Sequence, residues 1–595
     1  MTTRTNTPDE HKLYYWNTLI ALFVFSIVAG FWGFQDYFIQ QGEDHNWLRI
    51  LYRTLQLFVL EGGDISGQIP WALQASRFVA PLTAVMALVM ALFEIFSERL
   101  KLIKISRMKN HVIIIGFGTK GKNVMEESLR KKEKVLIIEN DPLNPNLPSI
   151  KSPGCRLLLG EANNKSILKR AGLIRAKSVF LLMRDDMQQI SVCLLIYKLI
   201  RECPRNEQNA LSCFMHLQKQ EFLNILRNNK LVQDVHDGLI LNIFNVYENS
   251  ARELFENNPP DRDGIGVKSE NYVQIIIFGF GQTGEALALQ TALTGHYLNN
   301  KKPKVVIIDR LANERIPDFL KRYPTYQNFC DLDFLALDAN SPQLVQQLVQ
   351  YLGDQNAFTT IVLCFEIKMQ NILLSLQLGN IRLKDTDPPL QVFVRTNDNE
   401  TIITFTENII PFGSPSKVYS PEVILKGDLD VKAKAVHECF LSMRKKKKDF
   451  GTRNADVPWE NLSQEFKDSS RKSADHIGVK MRGIDCEIVS KDDPQSGVVF
   501  TQEEIEILAE LEHRRWNAER SLAGWVYGKV KNEKIRKTPY LTDWKNLKDD
   551  IKEFDRETIR NIPNVLGLVN MKVVRKIKPQ VKNSEKLIDN STNSD

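Results

Sequence analysis

The chain has 595 residues, 43% of them hydrophobic and 25% charged, which is room for roughly three or four domains and for only a small membrane portion. The formal net charge is +7, and much of it sits in two local groups, Arg99 to Lys109 and Arg444 to Lys448, which argues against nucleic acid as the partner. Eight cysteines without a Cys-x-x-Cys pair speak against a zinc site and a disulfide framework, and they put the soluble part in a reducing compartment.

Two segments are apolar for long enough to cross a bilayer. Leu19 to Phe34 is interrupted only by Ser26 and carries Tyr14, Tyr15 and Trp16 before it and Tyr37 after it, so a span of about 15–37 with aromatic ends is expected. It has no small-residue cleavage site, and its apolar run is too long for a signal peptide. Phe78 to Phe96 is broken by Thr83 and by Glu94 near its end, giving a second span at about 77–97. The cations directly after it, Arg99, Lys101, Lys104, Arg107 and Lys109, fix that end inside, and two spans return the N-terminus to the same side. The expected location is the inner (plasma) membrane with both termini cytoplasmic.

Between the spans lies WLRILYRTLQLFVLEGGD, Trp47 to Asp64, whose apolar part is too short to span. A re-entrant helix at about 47–61 is expected. Span, short helix, glycine turn, span resembles the layout of a two-span potassium-channel pore, here over residues 13–98. A potassium filter is a backbone-carbonyl ladder of the T-V-G-Y-G type, whereas this chain has Val59, Leu60, Glu61, Gly62, Gly63 and Asp64. Only Gly63 and Asp64 match the family's closing Gly-Asp. Glu61 could form a charged ring in an oligomer, or lie in the outer headgroup region.

Next in the chain is VIIIGFGTKG, Val112 to Gly121. An apolar strand followed by G-x-G-x-x-G is the start of a dinucleotide-binding unit: Gly116 makes the turn, Gly118 lets a pyrophosphate approach, and Gly121 lets helix and strand pack closely. The amides at the helix start, around Thr119, then hold phosphates. The confirming acid is Glu139 at the end of KVLIIEND, placed for a ribose diol. A second copy, IIIFGFGQTG, supplies Gly279, Gly281 and Gly284, and KVVIIDR supplies Asp309. Carboxylates there disfavour a 2′-phosphate, so the expected cofactor is NAD or an adenine nucleotide in a regulatory role. The bland alternative is that one or both units keep the shape without the ligand.

Gly154 to Asp186 reads strand, turn, helix, strand, with Gly160, Glu161 and Ala162 at the turn and Asp185 and Asp186 after the last strand. These features resemble the TrkA-N, or RCK, domain that regulates potassium channels and transporters, and Asn245 to Asp261 is similar to the helix that closes that unit. The resemblance implies a first unit at 108–262 and a second, looser one at 270–450, where Asp338 and Ala339 hold the corresponding turn. It further implies a tetramer of four chains, hence a homo-tetrameric ligand-gated, channel-like protein. The run at 444–448 reads as a solvated helix end.

The last domain is expected at 456–575. The residues His513, Trp516, Gly524, Trp525, Tyr527, Gly528, Pro539, Leu541, Trp544, Leu547 and Asp555 resemble the RyR domain, the repeat of ryanodine receptors in its bacterial form, with Thr538, Asp543 and Trp544 standing where the receptor form has His and Pro-Tyr. Trp516, Trp525, Tyr527 and Trp544, beside Glu512, Arg514, Arg515, Glu519 and Arg520, are the candidate pocket for an unknown small-molecule ligand, with simple core packing as the alternative. Residues 576–595 read as a disordered tail.

The expected fold class is therefore α/β, two Rossmann-like doubly wound parallel sheets, joined to two N-terminal transmembrane helices with a re-entrant helix and a mainly α C-terminal domain. No catalytic arrangement emerges, and glycines of a Rossmann turn do not by themselves make a dehydrogenase. Three functions remain open: a regulated channel, a non-conducting membrane-anchored nucleotide sensor, and a defence-type membrane effector.

Overall fold

A computed structural model describes residues 8–61, 65, 67–150, 152–205, 210–219, 222, 238–365, 368–379, 390–396, 408–414, 418 and 430–577. The chain divides into two compact units, Met1–Arg107 and Met108–Asp595. Of the expected tail, only residues 576 and 577 are among those described.

The first unit is built on two long helices, Pro8–Gln41 and Trp71–Ser106, with a short helix Trp47–Gln56 and a 3-10 turn Leu57–Val59 between them. Small residues let the long helices approach closely: a Cβ on Gly33 would stand 2.4 Å from the Leu73 backbone nitrogen, and one on Gly30 would stand 2.8 Å from Ser76 Oγ. Ser76 Oγ donates to the Ser26 carbonyl at 2.7 Å, the kind of polar tie found between helices in apolar surroundings. Phe34, Tyr37, Phe38, Ile50, Leu57, Leu73 and Ala80 form the core of this unit. Its outer faces stay apolar, with Trp32, Phe78, Leu82 and Leu88 all exposed. Tyr15–Gln41 and Trp71–Leu92 are long and apolar enough to cross a membrane. The second helix begins ahead of the apolar run and continues past it to Ser106, because Glu, Arg, Lys and Leu after residue 97 are all good helix formers.

The second unit holds two six-stranded parallel sheets. The first consists of β1 (Val112–Ile115), β2 (Val135–Glu139), β3 (Cys155–Leu159), β4 (Ser178–Leu181), β5 (Leu211–His216) and β6 (Leu239–Phe244), in the order β3-β2-β1-β4-β5-β6. The second consists of β7 (Tyr272–Phe278), β8 (Lys304–Ile308), β9 (Asp331–Leu335), β10 (Ala357–Leu363), β11 (Val392–Arg395) and β12 (Ile409–Phe412), in the order β12-β11-β10-β7-β8-β9. Counted from its own first strand, each sheet has the Rossmann order, with its switch point between β1 and β4 or between β7 and β10. Helices cover both faces, so β1 reads as an unbroken apolar run with all four residues buried, and β7 and β10 are apolar and buried over Ile275–Phe278 and Ile361–Leu363.

Helix Val246–Asn257 follows the first sheet in sequence but packs into the second: Ala251 and Leu254 lie in one core cluster with Val273, Ile275 and Leu287. The C-terminal part is helical, with helices Val431–Arg444, Gln464–Asp475, Ile477–Gly483, Gln502–Leu522, Asp549–Arg560 and Ile562–Leu568. Two small ladders join them: β13 (Cys486–Ser490) pairs antiparallel with β16 (Met571–Arg575), and β14 (Val526–Tyr527) pairs with β15 (Lys537–Thr538). Helix Gln502–Leu522 starts with a full capping box between Thr501 and Glu504. At 444–448 only the lysines behave as a solvated end; Arg444 is buried against Asp449 and Asp456.

Arg515 sits in this C-terminal core at 2% exposure, bonded to Glu512 at 2.9 Å and to Glu519 at 2.6 Å, while Lys480 meets Glu512 at 2.7 Å. Burial alone would raise both carboxyls, but Arg515, with Lys480 at Glu512, holds each down to about 2. Their contribution to stability is therefore complete above the ordinary value of 4.5 and is lost as pH falls toward about 2. Arg515→Ala leaves two buried carboxylates without this partner and is expected to cost roughly 3–5 kcal/mol at neutral pH. The loss should shrink at pH 4, where protonation relieves the unpaired acids; denaturant melts of the variant at both pH values check the direction.

Candidate functional site

The first glycine turn takes the shape its three glycines allow. Gly116 has φ +91°, and a Cβ there would stand 2.9 Å from the Met183 backbone nitrogen at the end of the neighbouring strand. A Cβ on Gly121 would stand 2.4 Å from the Gly116 carbonyl oxygen, so helix Thr119–Arg130 can lie this close to β1 only with glycine. Gly118 differs: a Cβ there meets nothing within 4 Å. That open space lies beside the first amides of the helix, which have no partner within the helix itself. The second turn repeats this pattern. Gly279 has φ +87°, a Cβ on Gly284 would stand 2.3 Å from the Gly279 carbonyl, and Gly281 faces open space.

The two acids are engaged by their own chain. Glu139, 8% exposed, accepts from the Phe117 amide at 2.8 Å and from Asn144 Nδ2 at 3.0 Å on one oxygen, and from the Asn140 and Asp141 amides at 2.8 and 3.1 Å on the other. A carboxylate has about four acceptor sites, so Glu139 bolts the glycine turn to the end of β2. Asp309 does the same for the second turn, accepting from the Phe280 amide at 2.7 Å, from the Leu311 amide at 2.7 Å and from Arg315 at 2.8 Å. Both acids are thus engaged within the protein, and any further donor would have to share or displace one of these bonds.

Several residues at the first crevice escape a reading by motif. Asn144 and Asn146 both donate to the Phe117 carbonyl at 3.2 Å, and their spacing after Glu139 in NDPLNPN is the signal that could have found them. Lys120 Nζ lies 3.3 Å from both ring nitrogens of His216 at the end of β5. Burial lowers this lysine to about 8, with Arg395 of the second sheet pushing further down and Asp186 pulling up.

The four RyR aromatics do not form one box. His513 stacks on Trp516 at 5.8 Å and touches Trp544 at 5.8 Å. Arg520 lies over Trp516 at 5.7 Å and over Trp525 at 5.4 Å. Trp544 packs on the C-terminal core and its indole donates to Glu506 at 3.3 Å. Trp525 is 8% exposed, whereas Tyr527, on β14, is 58% exposed and shares none of these ring contacts. Of the neighbouring charges, Glu512, Arg515 and Glu519 are spent in the buried network described above. Arg520, which also bonds Glu465 at 2.8 Å, remains beside the rings.

In the N-terminal unit the chain leaves the short helix through Leu60, a left-handed residue at φ +64°. Glu61 follows, exposed, with Gln56 donating to it at 3.4 Å. Gly62, Gly63 and Asp64 lie outside the described residues.

Two family models match stretches of this sequence. The TrkA-N domain covers residues 112–228 and the RyR domain covers residues 500–575. The TrkA-N match takes in the first glycine turn and Glu139, and the RyR match takes in all four aromatics. An uncharacterized protein of Methanothermus fervidus is 31% identical over 91 residues, covering 15% of this chain and 14% of that protein. Potassium channel protein 1 of Methanocaldococcus jannaschii is 29% identical over 104 residues, covering 18% of this chain and 31% of that one. The chain thus spans less than a third of either relative's length. Among solved structures, GsuK bound to ADP is 14% identical with a TM-score of 0.38, over 70% of this chain and 98% of that chain. The GsuK channel bound to NAD is 13% identical with a TM-score of 0.37, over 70% and 84%.

Because Glu139 holds the turn, its removal should be felt without any ligand. Glu139→Ala removes a charged acceptor from three backbone amides, each such bond being worth about 1.5–3 kcal/mol. It is expected to lower the melting temperature of the ligand-free protein, whereas Gly118→Val, with open space around its Cβ, is expected to leave it nearly unchanged. Differential scanning calorimetry of the two variants separates these outcomes.

Proposed function

We propose that this chain is a nucleotide-regulated, channel-like protein of the inner membrane, in which ligand occupancy of the Rossmann units and of the RyR domain biases a cation pore. The observation that carries the reading is the pair of glycine turns, each with open space at its middle glycine and an acid at the end of its second strand, on a chain with two membrane-length helices. Regulation suits this equipment, since each crevice offers groups that bind: open space over the helix-start amides and an acid engaged at the turn. The relative named as a potassium channel supports the same direction.

In this reading NAD or an adenine nucleotide lays its phosphates over Gly118 and the helix start at Thr119. Glu139 exchanges one internal hydrogen bond for a ribose hydroxyl. Gly281, Gly284 and Asp309 offer the equivalent place in the second unit, with Gly279 shaping its turn. The functional segments are then a pore-like domain at 13–98, Rossmann units at 108–262 and 270–450, and the RyR domain at 456–575, with both termini in the cytoplasm. Four copies would close a pore around the exposed apolar helices. A small ligand of the RyR domain would meet Trp516, Trp525 and Arg520, with Tyr527 at the rim and Trp544 behind His513.

The pore stretch favours a second reading. Glu61, Gly62, Gly63 and Asp64 replace the carbonyl ladder of a potassium filter, so the helices could anchor and assemble a sensor without conducting. Reconstitution into liposomes with potassium and sodium flux readouts, with and without NAD or ADP, decides between them. Ligand-dependent flux is expected. Glu61→Gln should lower cation flux several-fold, because a ring of carboxylates concentrates cations at a constriction. Absence of flux under every ligand would leave the anchored sensor, and flux unaltered by Glu61→Gln would place that residue off the conduction path.

A further inference from the structure

The first crevice is not closed by the first Rossmann unit alone. Arg395 is the last residue of β11 in the second sheet, and its guanidinium lies 5.3 Å from the centre of the Tyr247 ring. Lys120, the second residue of the helix after the first glycine turn, places Nζ 5.7 Å from the centre of the same ring. Two cations from two Rossmann units therefore converge on one aromatic at the mouth of the first turn.

Among the described residues no carboxylate stands within ion-pair distance of Lys120 or of Arg395. His216, fully buried, is held neutral, its pKa driven well down by burial and then by Lys120 itself. It can accept from the ammonium but supplies no counter-charge. Asp186 is the acid whose field reaches Lys120, but its oxygens are taken by the Gln218 and Lys219 amides at 2.8–3.1 Å. The Tyr247 ring offers both cations a weak electrostatic partner. Two like charges held near one another at a partly buried site cost free energy unless an anion joins them.

We propose that Lys120 and Arg395 form a two-cation clamp for the phosphate chain of a nucleotide bound at the first glycine turn, so that the second Rossmann unit reads occupancy of the first. The proposal rests on the nucleotide reading above and adds to it the residue by which one unit senses the other. Lysine supplies a point charge, arginine a planar fork that matches phosphate oxygens, and the turn supplies amides and open space at Gly118. The clamp recognises phosphates rather than base or sugar. Diphosphates should feel it, and adenosine should not.

The test uses the full-length chain in detergent or nanodiscs. Binding of ADP, NAD and adenosine is measured by calorimetry at two salt concentrations for wild type, Arg395→Gln, Arg395→Lys, Lys120→Gln and Gly118→Val. Arg395→Gln is expected to weaken ADP and NAD about tenfold or more, to flatten the salt dependence, and to leave adenosine as in wild type. Arg395→Lys should recover part of the loss, and Lys120→Gln should repeat it. The melting temperature of ligand-free Arg395→Gln should be unchanged or raised, since a repulsion has gone. Wild-type affinity and salt dependence in Arg395→Gln, with Gly118→Val unable to bind, would overturn the clamp and leave the nucleotide site standing. A lower ligand-free melting temperature with unchanged ADP affinity would make Arg395 purely structural. Failure of wild type to bind any of the three ligands would remove the nucleotide reading and the clamp together.

Discussion

Arg252 joins three parts of the second unit through one guanidinium. It lies on helix Val246–Asn257, between the two sheets in sequence, and bonds Asp475 at 2.8 and 2.9 Å and Asp430 at 3.2 Å. Asp430 precedes helix Val431–Arg444, and Asp475 ends helix Gln464–Asp475. Arg471 holds the other side of Asp430, and Gln290, on the first helix of the second sheet, reaches Asp475 at 3.3 Å. Burial opposes charge on Arg252, and the two aspartates override it so that the group stays ionised. Buried ions tolerate little displacement, because a broken pair leaves a desolvated charge behind. The second sheet and the C-terminal helices are thus held in one register by groups that cannot be separated cheaply.

The same rule explains which parts of the site could be read from the sequence and which could not. The glycine turns were legible because the constraint is local: Gly116 must adopt positive φ and Gly121 must lack a Cβ, whatever surrounds them. The parallel sheets were legible from apolar strands that need no polar face. Glu139 was legible as a position, yet not as a bolt, since its four bonds depend on where Phe117 and Asn144 fall after folding. Arg395 carried no signal at all. It becomes relevant only when β11 brings it over Tyr247, a residue far away in sequence.

Helix Val246–Asn257 shows the limit of reading units in chain order. Its cap, Asn245, accepts from the Tyr247 and Glu248 amides and donates to the Leu217 carbonyl beyond β5, which ties its start to the first sheet. Its body packs Ala251 and Leu254 into the second sheet's core. A helix that starts on one sheet and is buried in the next makes the two sheets mechanically continuous. Tyr247, at its first turn, is the ring over which Lys120 and Arg395 meet.

The charges around Trp516 teach a related point about composition. Glu512, Arg515 and Glu519 occupy spacings of three and four on helix Gln502–Leu522, a pattern that the sequence alone places only beside the candidate pocket. They are buried because Lys480, from helix Ile477–Gly483, completes the neutralisation across the domain. That helix and β13 precede the matched RyR segment, yet β13 pairs with β16 at the segment's very end. Residues before 500 are therefore needed to satisfy charges within it. Of the polar groups in that cluster, Arg520 is the one left facing two indoles at the edge. The closed network lies on the same helix as Trp516, so that edge stands on paired charges that could be separated only by leaving a desolvated ion behind.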